Sequence, residues 1–420
     1  MERKLFYGWY VLCASFLILV IEGGVRFSFG TLISPLAAEF SWSRGAITLA
    51  FTANMIVFGF CQLLAGKLLD RFGPRVLFSV SALIVTIGMI LTARMTSLFQ
   101  FYLYYGIITA VGVSGITIGV VSSTLSMWFR SMRGLVSGIA VSGTALGQFL
   151  IIPAIAFIMQ RFGWRTAWTT VGLLASIVIV PIALLVLRRE PAGTSRRPSR
   201  FGDKGAREEG QSDPGISPIG VSQVLRSRNF IAIGVTYFIC GFQDFLFSTQ
   251  LIPFALDRHF SNQEASNLQG LAGLLSVPGL LFFSFLSEKF GRKLPLLLTF
   301  VPRLLSFALL FYSTGKPFIY IYAVLFGFTL MASAPLASAI VGDLYGFKNI
   351  GTLTGAIFWV HHLGGSLGAY AGGLVYDLTG SYQLAFAFLL FLAAMALLTS
   401  GLIREKRAAV KKSATLCATE

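Results

Sequence analysis

The sequence predicts an all-α integral membrane protein, with twelve transmembrane helices in two pseudo-symmetric six-helix bundles. Three observations predict it. Only 12% of the 420 residues are charged and 55% are hydrophobic, whereas a soluble domain carries about a quarter charged residues. Twelve apolar runs approach or exceed the ~20 residues that a helix needs to cross a bilayer. A basic loop recurs at matching places in the two halves. Helices fit because every backbone group must be satisfied internally in hydrocarbon.

In chain order, the first six spans are predicted at 9–37, 44–66, 76–94, 98–127, 134–160 and 164–187. The basic stretch 1–8 before them lacks a cleavable-signal pattern, and the run that follows is too long for a signal core. The segment 188–228 breaks the pattern. It carries Arg188, Arg189, Arg196, Arg197, Arg200, Lys204 and Arg207 among Gly, Ser and Pro, the composition of a hydrophilic linker. Six more spans follow at 229–256, 265–287, 294–313, 318–342, 350–376 and 382–403. The expected organisation is an N-terminal bundle over 1–187, a basic linker over 188–228, a C-terminal bundle over 229–404 and a tail over 405–420.

Basic residues set orientation. Most of the 33 Lys and Arg fall in segments on the linker side, among them Lys67, Arg71, Arg75, Lys289, Arg292 and Lys293. Few fall on the other side: Arg44, Arg94, Arg161, Arg165, Arg258 and Lys316. This bias predicts cytoplasmic termini and a multi-pass protein of an inner or plasma membrane. It also accounts for the net charge of +16 without a nucleic-acid partner. Cys13, Cys61, Cys240 and Cys417 lack paired spacing, so they predict neither a disulfide framework nor a metal site.

The repeated loop reads GKLLDRFGPR at 66–75 and SFLSEKFGRK at 284–293. Aligned, Asp70-Arg71 matches Glu288-Lys289, Gly73 matches Gly291, and Arg75 matches Lys293. Two such loops imply an internal duplication. Gly66, Gly73 and Gly291 are expected to let backbones approach closely. The acids are expected to pair with bases such as Arg71, Arg75 and Arg292, or to cap a helix, in contacts that make and break as a gate.

The Gly66–Arg75 pattern resembles the signature loop of the major facilitator superfamily, and 284–293 resembles its degenerate second copy. The resemblance covers the whole chain. Segments 7–16, 28–47, 128–143, 343–355 and 361–382 are similar to the monocarboxylate-transporter branch and its bacterial relatives, including oxalate-formate exchangers. The resemblance implies a central cavity, alternating access and a monocarboxylate-like substrate, often moved with a proton. The chain also departs from that branch. Its eighth span, 265–287, has no Lys or Arg where many members hold a carboxylate. Thr31 stands where animal members carry a lysine, and His361 and His362 stand in the span where exchangers carry one.

Ionisable residues at membrane depth are expensive and mark function. Glu22 and Arg26 lie one helical turn apart. Arg26 offers a fork to an anion, and Glu22 balances it or carries a proton. A closed structural ion pair is the competing reading. Asp244 is a lone carboxylate in span seven and a candidate proton-coupling site, with Gln243 or Gln250 as possible supports. His361 and His362 can relay a proton or hold a carboxylate. Neighbouring residues splay by about 100°, so one of the pair is expected to face the cavity. Tyr105 is a candidate polar contact. Arg303 reads as an interhelical partner. No cofactor or metal is expected. The expected partners are a small anionic substrate, a proton and lipid, with the chain working as a monomer. The competing functions are anion exchange, efflux of another solute, and a transport-inactive receptor or assembly protein.

Overall fold

The structure is a computed structural model and describes residues 6–129, 133–188, 221–313, 315–346 and 350–403. Most of the expected linker and all of the expected C-terminal tail lie outside the described residues, as do Arg130 and Lys348.

Twelve transmembrane helices are found among the described residues. Helix α1 runs over Gly8–Phe40, with a break at Ser28 and Phe29. The 50-residue stretch Arg44–Ala93 turns at Gly73 and so divides into α2 (44–72) and α3 (74–93). Helix α4 is Leu98–Trp128, wound as π-helix over Tyr102–Thr109 and broken at 115–117. The stretch Arg133–Leu185 turns at Gly163 into α5 (133–162) and α6 (164–185). A short turn at Val221–Leu225 leads into α7 (Arg228–Asp257), α8 (Asn262–Phe290) and α9 (Lys293–Tyr312). Helices α10 (Lys316–Tyr345, broken at Met331 and Ala332), α11 (Ile350–Thr379) and α12 (Gln383–Leu402) complete the second half.

Local chemistry sets these ends. Ser43, Ser97, Thr117 and Ser227 each cap a helix by accepting from a backbone N–H in its first turn. Ser261 and Glu264 form a reciprocal capping box at α8. Such caps satisfy donors that the helix itself leaves open. The outer surface is apolar: Phe99, Ile177, Leu281, Phe285 and Leu398 are all largely exposed. That surface suits lipid and not water.

The halves repeat one another in their packing. Helices α1 and α5 pack as closely as glycine allows, and so do α7 and α11. A Cβ at Gly147 would collide with the Val20 carbonyl, and one at Gly364 with that of Phe238. The two halves meet along α2 against α11 and α5 against α8.

The repeated loops fold alike. Gly73 has φ 80° and Gly291 has φ 84°, a left-handed conformation that other residues rarely adopt. The closing base of each loop reaches the last helix of its own half. Arg75 Nε donates to Leu187 O at 2.7 Å, and Lys293 Nζ donates to Gly401 O at 2.5 Å. Arg292 pairs with Glu288 at 3.1 Å and Asp343 at 3.4 Å, and donates to Ser287. Burial opposes its charge, but Glu288 and Asp343 outweigh burial and hold the guanidinium above its ordinary pKa. Asp70 is exposed at the end of α2. The Arg71 guanidinium lies 5.2 Å over the Phe72 ring, and Lys289 lies 5.4 Å over Phe290. One expectation is corrected. A Cβ at Gly66 would meet nothing within 4 Å, so Gly66 is not needed for close approach. Glycine is required at Gly73 and Gly291 for their positive φ.

Candidate functional site

Two charged groups lie at the centre of the molecule, one in each half. In the first, Arg26 Nη1 is 3.5 Å from Glu22 Oε1, and Thr144 Oγ1 of α5 donates to Glu22 Oε2 at 3.4 Å. Glu22 is fully buried. Thr144 reaches it because Gly23 lets α5 close on α1. The Arg26 guanidinium lies 4.5 Å over the Phe58 ring and 5.5 Å over Phe245, contacts that favour a cation. Its Nη2 lies 2.8 Å from His362 Nε2, while His362 Nδ1 lies 2.6 Å from Phe358 O. Arginine only donates and a carbonyl only accepts. His362 is therefore assigned as the neutral tautomer with its proton on Nδ1, and its Nε2 accepts from Arg26.

The second group joins α7, α9 and α11. Asp244 Oδ1 is 2.8 Å from Arg303 Nη2, although no Arg303 N–H is aimed squarely at that oxygen. Asp244 Oδ2 is 3.2 Å from His361 Nε2 and accepts from Cys240 Sγ at 3.4 Å. Arg303, fully buried, also donates to Thr329 Oγ1, Thr329 O and Gln243 Oε1. Ser333 Oγ lies 3.2 Å from Cys240 Sγ, and Tyr237 OH donates to Ser333 O. The donor atoms of Cys240, Asp244 and His361 lie within 4.8 Å of one another, a spacing that fits a metal ion. Arg303 already supplies the countercharge there, at 2.8 Å from the acid and 3.5 Å from the thiol.

Several sequence expectations change shape here. Asp244 is not a lone carboxylate, because Arg303 and His361 both hold it. The histidines do not divide into one cavity residue and one packing residue. Their splay on α11 sends His361 to Asp244 in its own half and His362 to Arg26 in the other. Arg26 is paired with Glu22, but at a long distance. Tyr105 packs against Phe29, Phe101 and Trp168 within the first half. It is 3% exposed, enclosed to the same degree as Glu22 and Asp244. Thr31 Oγ1 is used locally, donating to Ser28 O at 2.7 Å.

Sequence reasoning passed over one further cluster. At the end opposite the repeated loops, Arg44 begins α2 and makes a two-pronged bond to Asp257 of α7, both arms 2.7 Å. It donates to Tyr382 OH at 2.7 Å and lies 3.6 Å over the Tyr376 ring. Asp377 of α11 accepts from the backbone N–H groups of Arg44 and Gly45 at 2.9 and 2.6 Å, capping α2. Every one of these bonds joins one half to the other. Arg44→Ala is expected to loosen that end. In a variant without native cysteines, a thiol placed at Thr52, which donates to Ser366 O across the seam, should react about tenfold faster with an impermeant maleimide. Tenfold corresponds to about 1.4 kcal/mol, modest for a bidentate charged bond. An unchanged rate would remove the locking role.

The family model described as Major Facilitator Superfamily matches residues 15–254 and 233–416. The MFS-type transporter YcxA of Bacillus subtilis is 26% identical over 389 residues, 90% of this chain and 91% of its own. Monocarboxylate transporter 13 of Bos taurus is 25% identical, covering 91% of this chain and 87% of its own. The oxalate:formate antiporter of Oxalobacter formigenes is 26% identical, covering 86% and 84%. Among solved structures, nucleoside transporter NupG, in a mutant form, superposes with TM-score 0.75 at 14% identity, over 95% of this chain and 100% of its own. A bacterial homolog of human lysosomal transporter Spinster, inward-facing and occupied, gives 0.71 at 16%, over 95% of each chain. At such identities the two structures speak for the fold alone.

Proposed function

The chain belongs to the major facilitator superfamily, and from that premise we propose that it carries a small organic anion of monocarboxylate type across the membrane by alternating access, together with a proton. The observation that carries this reading is Arg26. Its guanidinium sits at mid-membrane between two phenylalanine rings, held by a long contact to Glu22 and by a neutral histidine. Neither contact matches the geometry of a fork on a carboxylate. An arriving carboxylate offers Arg26 a better partner than either.

Charge balance supports the proton. With both histidines uncharged, Glu22 with Arg26, and Asp244 with Arg303, leave the centre neutral. An added anion brings an uncompensated charge into a low-dielectric site, which is expensive. A proton taken up beside it restores neutrality. Glu22, Asp244 and His361 are the groups proposed to take it, and His362 links the Arg26 and Asp244 groups through its neighbour. Arg44 and its partners close the far end in this state. Along the α5–α8 seam, an open apolar cavity of about 460 Å³ is lined by Phe16, Leu146, Leu274 and Val277.

Anion exchange is the second reading, favoured by the likeness to an oxalate:formate antiporter. It needs no proton, because one anion replaces another. Uptake of labelled monocarboxylates by purified protein in liposomes separates the two. An inward proton gradient is expected to accelerate uptake severalfold. Indifference to the gradient, with exchange intact, would favour the antiporter. No flux of any anion under any gradient would refute both.

A further inference from the structure

Gln148 on α5 and Gln269 on α8 are fully buried. In each, both the oxygen and the nitrogen of the carboxamide lack a partner among the described residues, as does Nε of Arg26. Native interiors rarely leave such groups unpaired. Their placement ties them to the anion site. Helices α1 and α5 run parallel, with Gly143 against Phe16 and Gly147 against Val20. Thr144 bonds Glu22. Gln148 lies one turn beyond Thr144 on the same face, as Arg26 lies one turn beyond Glu22. The Gln148 side chain packs against Gly273 of α8, and Gln269 is one turn from Gly273 on that helix. The two carboxamides thus flank the α5–α8 seam between the halves, near the level of Arg26.

We propose that Gln148 and Gln269 form a neutral second subsite that binds the hydroxyl groups of a hydroxylated carboxylate whose charge rests on Arg26. This rests on the anion reading above. The chemistry selects the class. A carboxamide both donates and accepts. A hydroxyl also does both, so it satisfies either end of either glutamine. A plain alkanoate chain satisfies neither end. A second carboxylate only accepts and leaves both glutamine carbonyls unpaired. A site built to hydrogen-bond a substrate hydroxyl rejects the analogue lacking it strongly, because its own polar groups are then stranded.

Three-carbon acids make the test: glycerate, propionate and malonate, with two hydroxyls, none, and a second carboxylate. Each competes against labelled glycerate for uptake into liposomes holding the purified full chain. Glycerate is expected to compete at least about tenfold more strongly than either of the others. The double variant Gln148→Met, Gln269→Met keeps side-chain length and removes the hydrogen bonds. It is expected to erase the preference, so that glycerate competes no more strongly than propionate. Should that variant fail to fold, the wild-type ranking decides. Equal competition by propionate or malonate, or a preference that survives in the folded double variant, would overturn the subsite and leave anion transport standing. No flux or competition by any of the three would overturn the subsite, and the anion reading falls with it only if no other labelled anion is carried under any gradient.

Discussion

Arg26→Gln is expected to lower anion uptake in liposomes by about a hundredfold or more, while the protein still inserts and purifies as wild type does. The glutamine keeps polarity and loses the charge and the fork. Removing one partner of a buried, hydrogen-bonded charge pair costs about 2–5 kcal/mol, and each 1.4 kcal/mol is a factor of ten. Phe58 and Phe245 contribute only while a cation lies between them. Arg26→Lys should recover a small part of the rate, since a point charge replaces a fork. Glu22 loses its countercharge in the glutamine variant. Its carboxyl can take up a proton, so folding is expected to survive. The double variant Glu22→Gln, Arg26→Gln should fold equally well and transport equally poorly. Near-normal uptake by Arg26→Gln would refute the role given to Arg26.

The architecture was legible because membrane insertion acts on local sequence. Each apolar run reports its own span, and the paired loops 66–75 and 284–293 report the duplication. Even there, reading the chain residue by residue erred at Gly66, where composition suggested closeness and the backbone needs only Gly73. The charged residues of the centre were also visible, because Glu22, Arg26, Asp244 and Arg303 stand out in hydrocarbon. Their partnerships were not. Asp244 and His361 are 117 positions apart, and Arg26 and His362 are 336 apart. Only the packing of α11 against α7 brings the first pair together, and only its place beside α1 across the halves brings the second. Arg44 looked like an ordinary loop charge for the same reason. Gln148 and Gln269 were hidden differently. A single glutamine in an apolar helix is unremarkable until both ends of its amide prove to be buried without a partner.

The pair formed by Asp244 and Arg303 predicts an asymmetry that neither residue predicts alone. Asp244→Leu leaves a guanidinium in the membrane interior, and arginine cannot discharge itself. Arg303→Leu leaves a carboxyl that keeps His361 and Cys240 as neighbours and can bind a proton. Breaking a buried pair by removing one partner costs about 3–5 kcal/mol. Asp244→Leu is expected to pay the whole of that, and Arg303→Leu clearly less. The double variant should regain most of the loss, because a buried pair replaced by packed apolar residues is often neutral. Thermal unfolding of the purified variants in detergent measures this, with the midpoints ranked wild type, double variant, Arg303→Leu, Asp244→Leu. Equal losses in the two single variants, adding in the double, would mean that the charges do not depend on each other. The double variant also isolates Asp244 from its structural duty. If Asp244 takes the proton, the folded double variant should still exchange anions across the membrane, and its uptake should no longer respond to a proton gradient.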